Sequence, residues 1–303
     1  MALTSINHSE KRAGSLFRAF SASSALALLS STAAQAVEGH ASRWQLGLQK
    51  AASPVAEFIG QFHDGLLFLI TAVTLFVLAL LVIVVVKFSE KKNPVPSTTT
   101  HHVGLEVAWT LIPVLILVVI AVPSFRLLKQ QIVAPPADLT IKATGAAWYW
   151  KFEYPKDAGG FEFDARMLTD EDIAKAVASG KGKKEDFPRL LAVDNEVVVP
   201  VNKVVVVQVT AADVIHAFSV QSFGVKVDAV PGRLNQTWFK ATREGVFYGQ
   251  CQELCGKDHA FMPLAIRVVS EEKYKAWLAD AKKKYAAVGD APIRTAENTA
   301  SAQ

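Results

Sequence analysis

The chain has 303 residues, 51% of them hydrophobic, with two cysteines and a formal charge of +4. That length and apolar content suit a membrane anchor plus one soluble domain. Its lysines gather near 87–92, 181–184 and 273–284, and without a concentrated basic face nucleic-acid binding is excluded.

Residues 1–36 read as a secretory signal peptide. Basic Lys11, Arg12 and Arg18 precede an apolar stretch from Ala19 to Leu29, and Ala34-Gln35-Ala36 supplies small residues for cleavage. Residues 37–64 form a mixed segment expected on the outer side, in which Trp44 suits an interface anchor.

Two apolar runs follow, at about 66–86 and 105–125. At about 1.5 Å per residue each crosses a hydrocarbon core about 30 Å thick, and together they make a transmembrane hairpin within 65–126. Lys87, Lys91 and Lys92 put the connecting loop on the cytoplasmic side, so both ends of the mature chain lie outside. Pro113, inside the second run, frees a carbonyl and bends the helix where neighbouring protein can accommodate it. Glu106 sits near the cytoplasmic end of that run. An ionisable group at such a place is a functional candidate, and a carboxylate that simply reaches the headgroups is the plainer alternative.

Ala134-Pro135-Pro136-Ala137 marks a domain boundary. Beyond it, strand-like runs fall at 138–143, 148–154, 161–166, 189–193, 196–199, 203–211, 214–220, 234–239, 245–248 and 264–269, punctuated by turns such as Gly159-Gly160 and Pro231-Gly232. Many short strands of this kind predict an all-β sandwich or barrel over 137–269. A polar insertion at 169–184 interrupts them with a short helix, Asp170 to Ala178, capped by Thr169 and acidic in its first turn. Within Trp148-Tyr149-Trp150, strand alternation puts the two tryptophans on one face and the tyrosine on the other, as ordinary aromatic packing also would. Residues 270–285 read as an amphipathic helix carrying Tyr274 and Trp277 on one side, and 286–303 as a frayed tail. No Cys-x-x-Cys-His occurs, so no c-type haem attachment is encoded.

Both cysteines lie in Cys251-Gln252-Glu253-Leu254-Cys255-Gly256-Lys257-Asp258-His259-Ala260-Phe261-Met262. Two thiolates, an imidazole and a thioether favour copper, because methionine is an unusual ligand for structural zinc. A mononuclear blue-copper site needs one cysteine and two histidines, so the second cysteine points to a two-ion centre with bridging thiolates. The second histidine is His216, at the start of Ala217-Phe218-Ser219-Val220 and presented by a strand end. A disulfide between Cys251 and Cys255 in an oxidising compartment is the competing reading.

From about Gln45 to Trp277, and above all through this loop, the chain resembles subunit II of the haem-copper cytochrome c oxidases, of the bacterial type close to the mitochondrial one. The resemblance implies a two-helix hairpin joined to a cupredoxin-like Greek-key sandwich in a bacterial inner membrane, with the soluble domain in the periplasm. It implies a dinuclear copper centre held by Cys251, Cys255, His216, His259, Met262 and the backbone carbonyl of Glu253. The carboxylate of Glu253 would reach a magnesium ion at the boundary with subunit I. Electrons from cytochrome c would come in at Trp148 and leave for the haem of subunit I, where O2 is reduced to water with proton pumping. Glu106-Val107-Ala108-Trp109-Thr110 matches the segment at the mouth of a proton-uptake channel.

Asp213, Glu153 and Asp258 are the expected docking acids for a basic cytochrome c. Subunits I and III and membrane lipid are the other implied partners. Ala146 and Ala147 depart from the polar residues, one a histidine, usual in the family. A copper-free subunit II of a quinol oxidase and a membrane-anchored copper carrier are the rival readings.

Overall fold

The computed structural model describes residues 39–286. The expected signal peptide, 1–36, and the tail after 286 lie outside the described residues.

Helix α1 spans Pro54–Lys87. Ser53 starts it: its side-chain oxygen accepts from the Ala56 amide at 3.0 Å, and Pro54 follows with its φ already set for a helix. Helix α2 spans Val103–Ile132, capped by His102 through its ring nitrogen and containing Pro113 and Pro123. With 34 and 30 residues, the helices extend to about 51 and 45 Å. Both therefore outreach a bilayer core, and they pack on each other as a hairpin. The surplus is used at the outer end, where Val55 and Ala56 are buried and the Trp238 indole donates to the Gln130 carbonyl.

The second domain holds ten strands: β1 (Leu139–Ala146), β2 (Tyr149–Tyr154), β3 (Phe161–Ala165), β4 (Val197–Pro200), β5 (Val204–Ala211), β6 (His216–Val220), β7 (Val225–Ala229), β8 (Asn235–Lys240), β9 (Gly245–Gln250) and β10 (Pro263–Val269). Helix α3 (Asp170–Ala178) lies between β3 and β4, with Thr169 and Asp172 forming a capping box, and α4 (Glu271–Ala286) ends the described chain. One sheet has the order β3-β2-β1-β5-β8, a second has β4-β10-β9, and β6 pairs with β7. The β1–β5 and β4–β10 pairs are parallel, the others antiparallel.

Alternation builds the core. Trp150, Phe152 and Tyr154 point inward from β2 while Tyr149, Lys151 and Glu153 point out, and β5 contributes Val205, Val207 and Val209. Phe218, Phe239, Phe247, Leu264 and Ile266 close the interior from the other strands. Each such side chain removed from water stabilises the fold by about 1.5–3 kcal/mol. Helix α4 packs against β3 and β4, the edge strands of the two larger sheets, its Trp277 and Tyr285 lying on Tyr154, Phe161 and Phe163.

Three local expectations change. Residues 189–193 form a turn, with Leu191 and Ala192 amides both donating to the Pro188 carbonyl, and only Val193 bridges to Met167. Strand β7 was not expected, although Val225-Lys226-Val227-Asp228-Ala229 alternates; the left-handed Gly224 before it supplies the reversal from β6. Trp148 also falls outside β2, in the turn that precedes it.

The stretch before α1 is part of the β domain. Gly39 accepts from the Tyr248 amide, Ala52 exchanges hydrogen bonds with Ser222 and Thr242, and Arg243 donates to the Ala51 carbonyl at 2.7 Å. Ser53 donates to Phe223 at 2.7 Å, so the cap of α1 is anchored on the sandwich.

Candidate metal centre

Strands β9 and β10 are a hairpin whose last pair is Gln250 with Pro263, and the loop between them is Cys251 to Met262. The Cys251 amide donates to the Met262 carbonyl at 3.0 Å and closes the loop at its base. Strand β6 runs beside β9, and the Gln252 amide donates to Ala217 at 3.1 Å. His216, the first residue of β6, is thereby held over the loop.

The two thiol sulfurs lie 3.7 Å apart. His216 Nδ1 is 3.8 Å from Cys251 Sγ, and His259 Nδ1 is 3.5 Å from Cys255 Sγ. The Glu253 carbonyl oxygen is 3.3 Å from Cys251 Sγ. His216, Cys251, Cys255 and Met262 are buried, while His259 is half-buried and the Glu253 side chain is exposed. Both cysteines are free thiols, so the disulfide reading does not describe this fold. A metal–sulfur bond is about 2.3 Å, and two sulfurs at 3.7 Å can both reach one ion. The donor set of two sulfurs and two imidazole nitrogens fits a soft or borderline metal such as copper.

The thiols ionise one at a time. Burial opposes ionisation of Cys251, but contacts from His216 and from the Glu253 and Ala217 backbone outweigh it and bring the thiol below its ordinary range. Cys255 is pushed up, first by burial and then by the charge on Cys251. A bound cation removes this conflict, since a coordinating thiol is deprotonated outright. His216 is burdened by burial, yet Cys251 and Asp213 raise its affinity for a proton.

Sequence reasoning missed what holds these ligands. Gly145 of β1 lies under His216, and a Cβ there would meet the ring at 2.9 Å. Asp213 Oδ1 is 2.8 Å from His216 Nε2, and its other oxygen accepts from the Ala147 amide at 2.7 Å. That bond uses only the backbone of the position where a polar side chain was missed. The Trp148 indole is half-buried and donates to the Cys255 carbonyl at 3.1 Å, against Gly256, whose φ of +122° and missing Cβ make room for it.

Other expected residues lie elsewhere. Glu153 is on the outer sheet face, paired with Lys142 at 2.8 Å, and four residues along β2 from Tyr149 put it about 13 Å from the strand's site end. Asp258 is on the loop beside Lys257, whose ammonium lies 5.5 Å from the centre of the Trp148 ring. Glu106, in the first turn of α2, accepts from the His102 amide, and the helix carries it about 36 Å from Gln130.

Residues 139–269 match the family model described as the periplasmic domain of cytochrome c oxidase subunit II, and residues 41–127 match that of its transmembrane domain. A probable cytochrome c oxidase subunit 2 from Rickettsia bellii is 50% identical over 247 residues, covering 82% of this chain and 87% of the relative. The chain belongs to the cytochrome c oxidase subunit II family. Subunit 2 of Cereibacter sphaeroides is 46% identical over 277 residues, 86% of this chain and 90% of that one. The crystal structure of the periplasmic domain of subunit II from Bradyrhizobium japonicum is 59% identical, with a TM-score of 0.44, covering 50% of this chain and 99% of that one.

As a subunit II, the chain is the electron-accepting subunit of a cytochrome c oxidase. It is an inner-membrane protein, with two spanning helices followed by a periplasmic β domain. The His216, Cys251 and Cys255 cluster lies in that domain and suits the copper site of the family.

Proposed function

We propose that Cys251, Cys255, His216, His259, Met262 and the Glu253 carbonyl hold a dinuclear copper centre. Through it the chain takes electrons from cytochrome c and delivers them to the haem of subunit I, for reduction of O2 coupled to proton pumping. The observation that carries this reading is the pair of free, buried thiols 3.7 Å apart, each flanked by an imidazole nitrogen. Two copper ions sharing one electron supply a one-electron relay.

The protein's share is rigidity and position. The β9–β10 hairpin fixes both thiols, β6 fixes His216, and burial of Met262 keeps the base of the loop dry. A cage of this kind rearranges little between oxidation states, and its burial and hydrogen bonds tune the potential. Trp148 serves as the port for incoming electrons, with its indole bonded to the backbone of Cys255. Asp213, Asp258 and, farther out, Glu153 supply negative charge to steer a basic cytochrome c. The Glu253 side chain is exposed, and its carboxylate would hold a magnesium ion at the boundary with subunit I. Glu106 takes protons in at the opposite end of α2, and subunit III and lipid complete the surroundings of the hairpin.

The same reading divides the chain into a signal peptide (1–36), an external segment (37–64), a hairpin (65–126), a copper domain (137–269), a C-terminal helix (270–285) and a tail (286–303). The test is replacement of one bridge. Full-length Cys255→Ser, loaded with copper in detergent, should lose the resonance of an electron shared over two nuclei while keeping its far-ultraviolet dichroism. Persistence of the shared signal would overturn the ligand set.

A further inference from the structure

Asp213 was read from the sequence as a docking acid, a role that needs only an exposed charge. In the fold its carboxylate accepts three hydrogen bonds. Oδ1 faces His216 Nε2 at 2.8 Å and the Val214 amide at 2.7 Å, and Oδ2 takes the Ala147 amide at 2.7 Å. We infer that Asp213 is a positioning residue: it fixes the tautomer of His216 and clamps the Trp148 turn to the same imidazole. The inference rests on the proposed ligation of metal by His216.

The first half follows from hydrogen-bond chemistry. An ionised carboxylate only accepts, so the hydrogen of a neutral imidazole facing it belongs on Nε2. The lone pair is then on Nδ1, the atom that faces Cys251 Sγ at 3.8 Å. Nothing else lets the ring choose freely. It is fully buried, it lies against Gly145 with no room for a Cβ, and the Trp150 indole stands edge-on at 6.3 Å. A histidine that ligates a metal through one nitrogen commonly has its other N–H held in this way.

The second half follows from connectivity. The residue after Ala147 is Trp148, whose indole donates to the Cys255 carbonyl at 3.1 Å. Cys255 Sγ is 3.7 Å from Cys251 Sγ, which in turn faces His216. Asp213 therefore closes a circuit that runs from His216 through Ala147, Trp148, Cys255 and Cys251 back to His216. The turn bearing the tryptophan is fastened to the cluster at both sides of its indole, once through Asp213 and once through the loop. Displacing that turn displaces a ligand.

The experiment uses the full chain in detergent, metal-free and copper-loaded, with Asp213→Ala, Asp213→Glu and Asp213→Asn. Nitrogen chemical shifts of selectively labelled histidines report the tautomer without metal. Wild type should show His216 protonated at Nε2 alone. Asp213→Ala should show a mixture, with copper affinity lowered about 10–100-fold, the usual cost of losing such a partner, and an altered copper resonance. Asp213→Glu separates the two roles, because it keeps the rim charge but moves the carboxylate by one methylene. It should resemble Asp213→Ala in tautomer and copper affinity, and wild type in the salt dependence of cytochrome c association.

Asp213→Asn guards against simple unfolding, being of the same shape; its amide must present N–H to either His216 or Ala147, and it too should lose copper affinity. If all three variants keep the wild-type tautomer, copper affinity and resonance, and only the salt dependence of association changes, in Asp213→Ala and Asp213→Asn, the inference is overturned and Asp213 is a docking acid alone. Failure of the copper reading is distinguishable. It would appear as wild type taking up no copper, while the metal-free tautomer still reports whether Asp213 sets His216.

Discussion

Gly145→Ala tests how the histidine ligand is seated. The φ of Gly145 lies outside the left-handed region, so an alanine meets no backbone strain there. What it meets is the His216 ring, with the new Cβ 2.9 Å from both Cγ and Cδ2, whereas ordinary contact begins near 3.4 Å. A separation of about 0.5 Å must open between two constrained groups, at the cost of about 1–3 kcal/mol typical of overpacking. Gly145 is paired with Trp150 on one side and Ala211 on the other, and its carbonyl accepts from Ala212. His216 is fully buried, paired with Ala229 and held at Nε2 by Asp213.

If the ring yields, its Nδ1 leaves the position facing Cys251 by more than the roughly 0.2 Å that metal–ligand distances tolerate. The variant should melt at lower temperature without metal and bind copper at least tenfold more weakly, which corresponds to about 1.4 kcal/mol. Thermal melting and competitive copper titration of the full chain measure both. Wild-type melting with a wild-type binding midpoint would refute the reasoning about the seat.

Three further outcomes are expected. Burial holds the Tyr154 phenol well above its ordinary range and those of Tyr248 and Tyr274 up at about 12. These neutral phenols contribute stability that is fully present below the unfolded value near pH 10 and is lost as pH rises through about 12. Near pH 11 the phenols of Tyr154, Tyr248 and Tyr274 should therefore stay largely un-ionised by phenolate absorbance until the chain unfolds; ionisation of these three with the fold intact would contradict it. Trp148→Phe removes the indole bond to Cys255 and should cost about 1 kcal/mol in melting. Stopped-flow should show oxidation of cytochrome c slowed far more than reduction by a small reagent, and equal slowing of both would deny Trp148 its role as port. Ser53→Ala removes a buried hydroxyl that both caps α1 and bonds Phe223, and should cost about 1–2 kcal/mol with faster proteolysis before α1. Unchanged proteolysis would show that the anchor lies elsewhere.

What could be read from the sequence was what is local. The apolar runs, the hairpin loop of ligands and the alternation of β2 and β5 each put their meaning into adjacent residues. The helix Asp170–Ala178 came with its own cap, Thr169. His216 was legible because a strand end can present a side chain to a distant loop. The seat under it was not, since Gly145 looks like any small strand residue until β6 is laid over β1. Asp213 was expected at the docking rim as an acid three residues before His216, but its inward bonds depend on where the Ala147 turn falls. Trp148 was placed on the strand with Trp150, but the chain turns before Tyr149, so the two indoles part: one enters the core and the other lies on the loop. Residues 39–53 carry no strand pattern; they are ordered by partners such as Tyr248, Ser222, Thr242 and Arg243, far away in sequence.

The most direct measurement is electron paramagnetic resonance of the full chain loaded with copper and partly oxidised, alongside metal analysis. Two copper ions per chain and hyperfine splitting from two equivalent nuclei, both lost in Cys255→Ser, are the result this account predicts. One copper per chain with splitting from a single nucleus, or no copper retained by the wild-type chain, would contradict it.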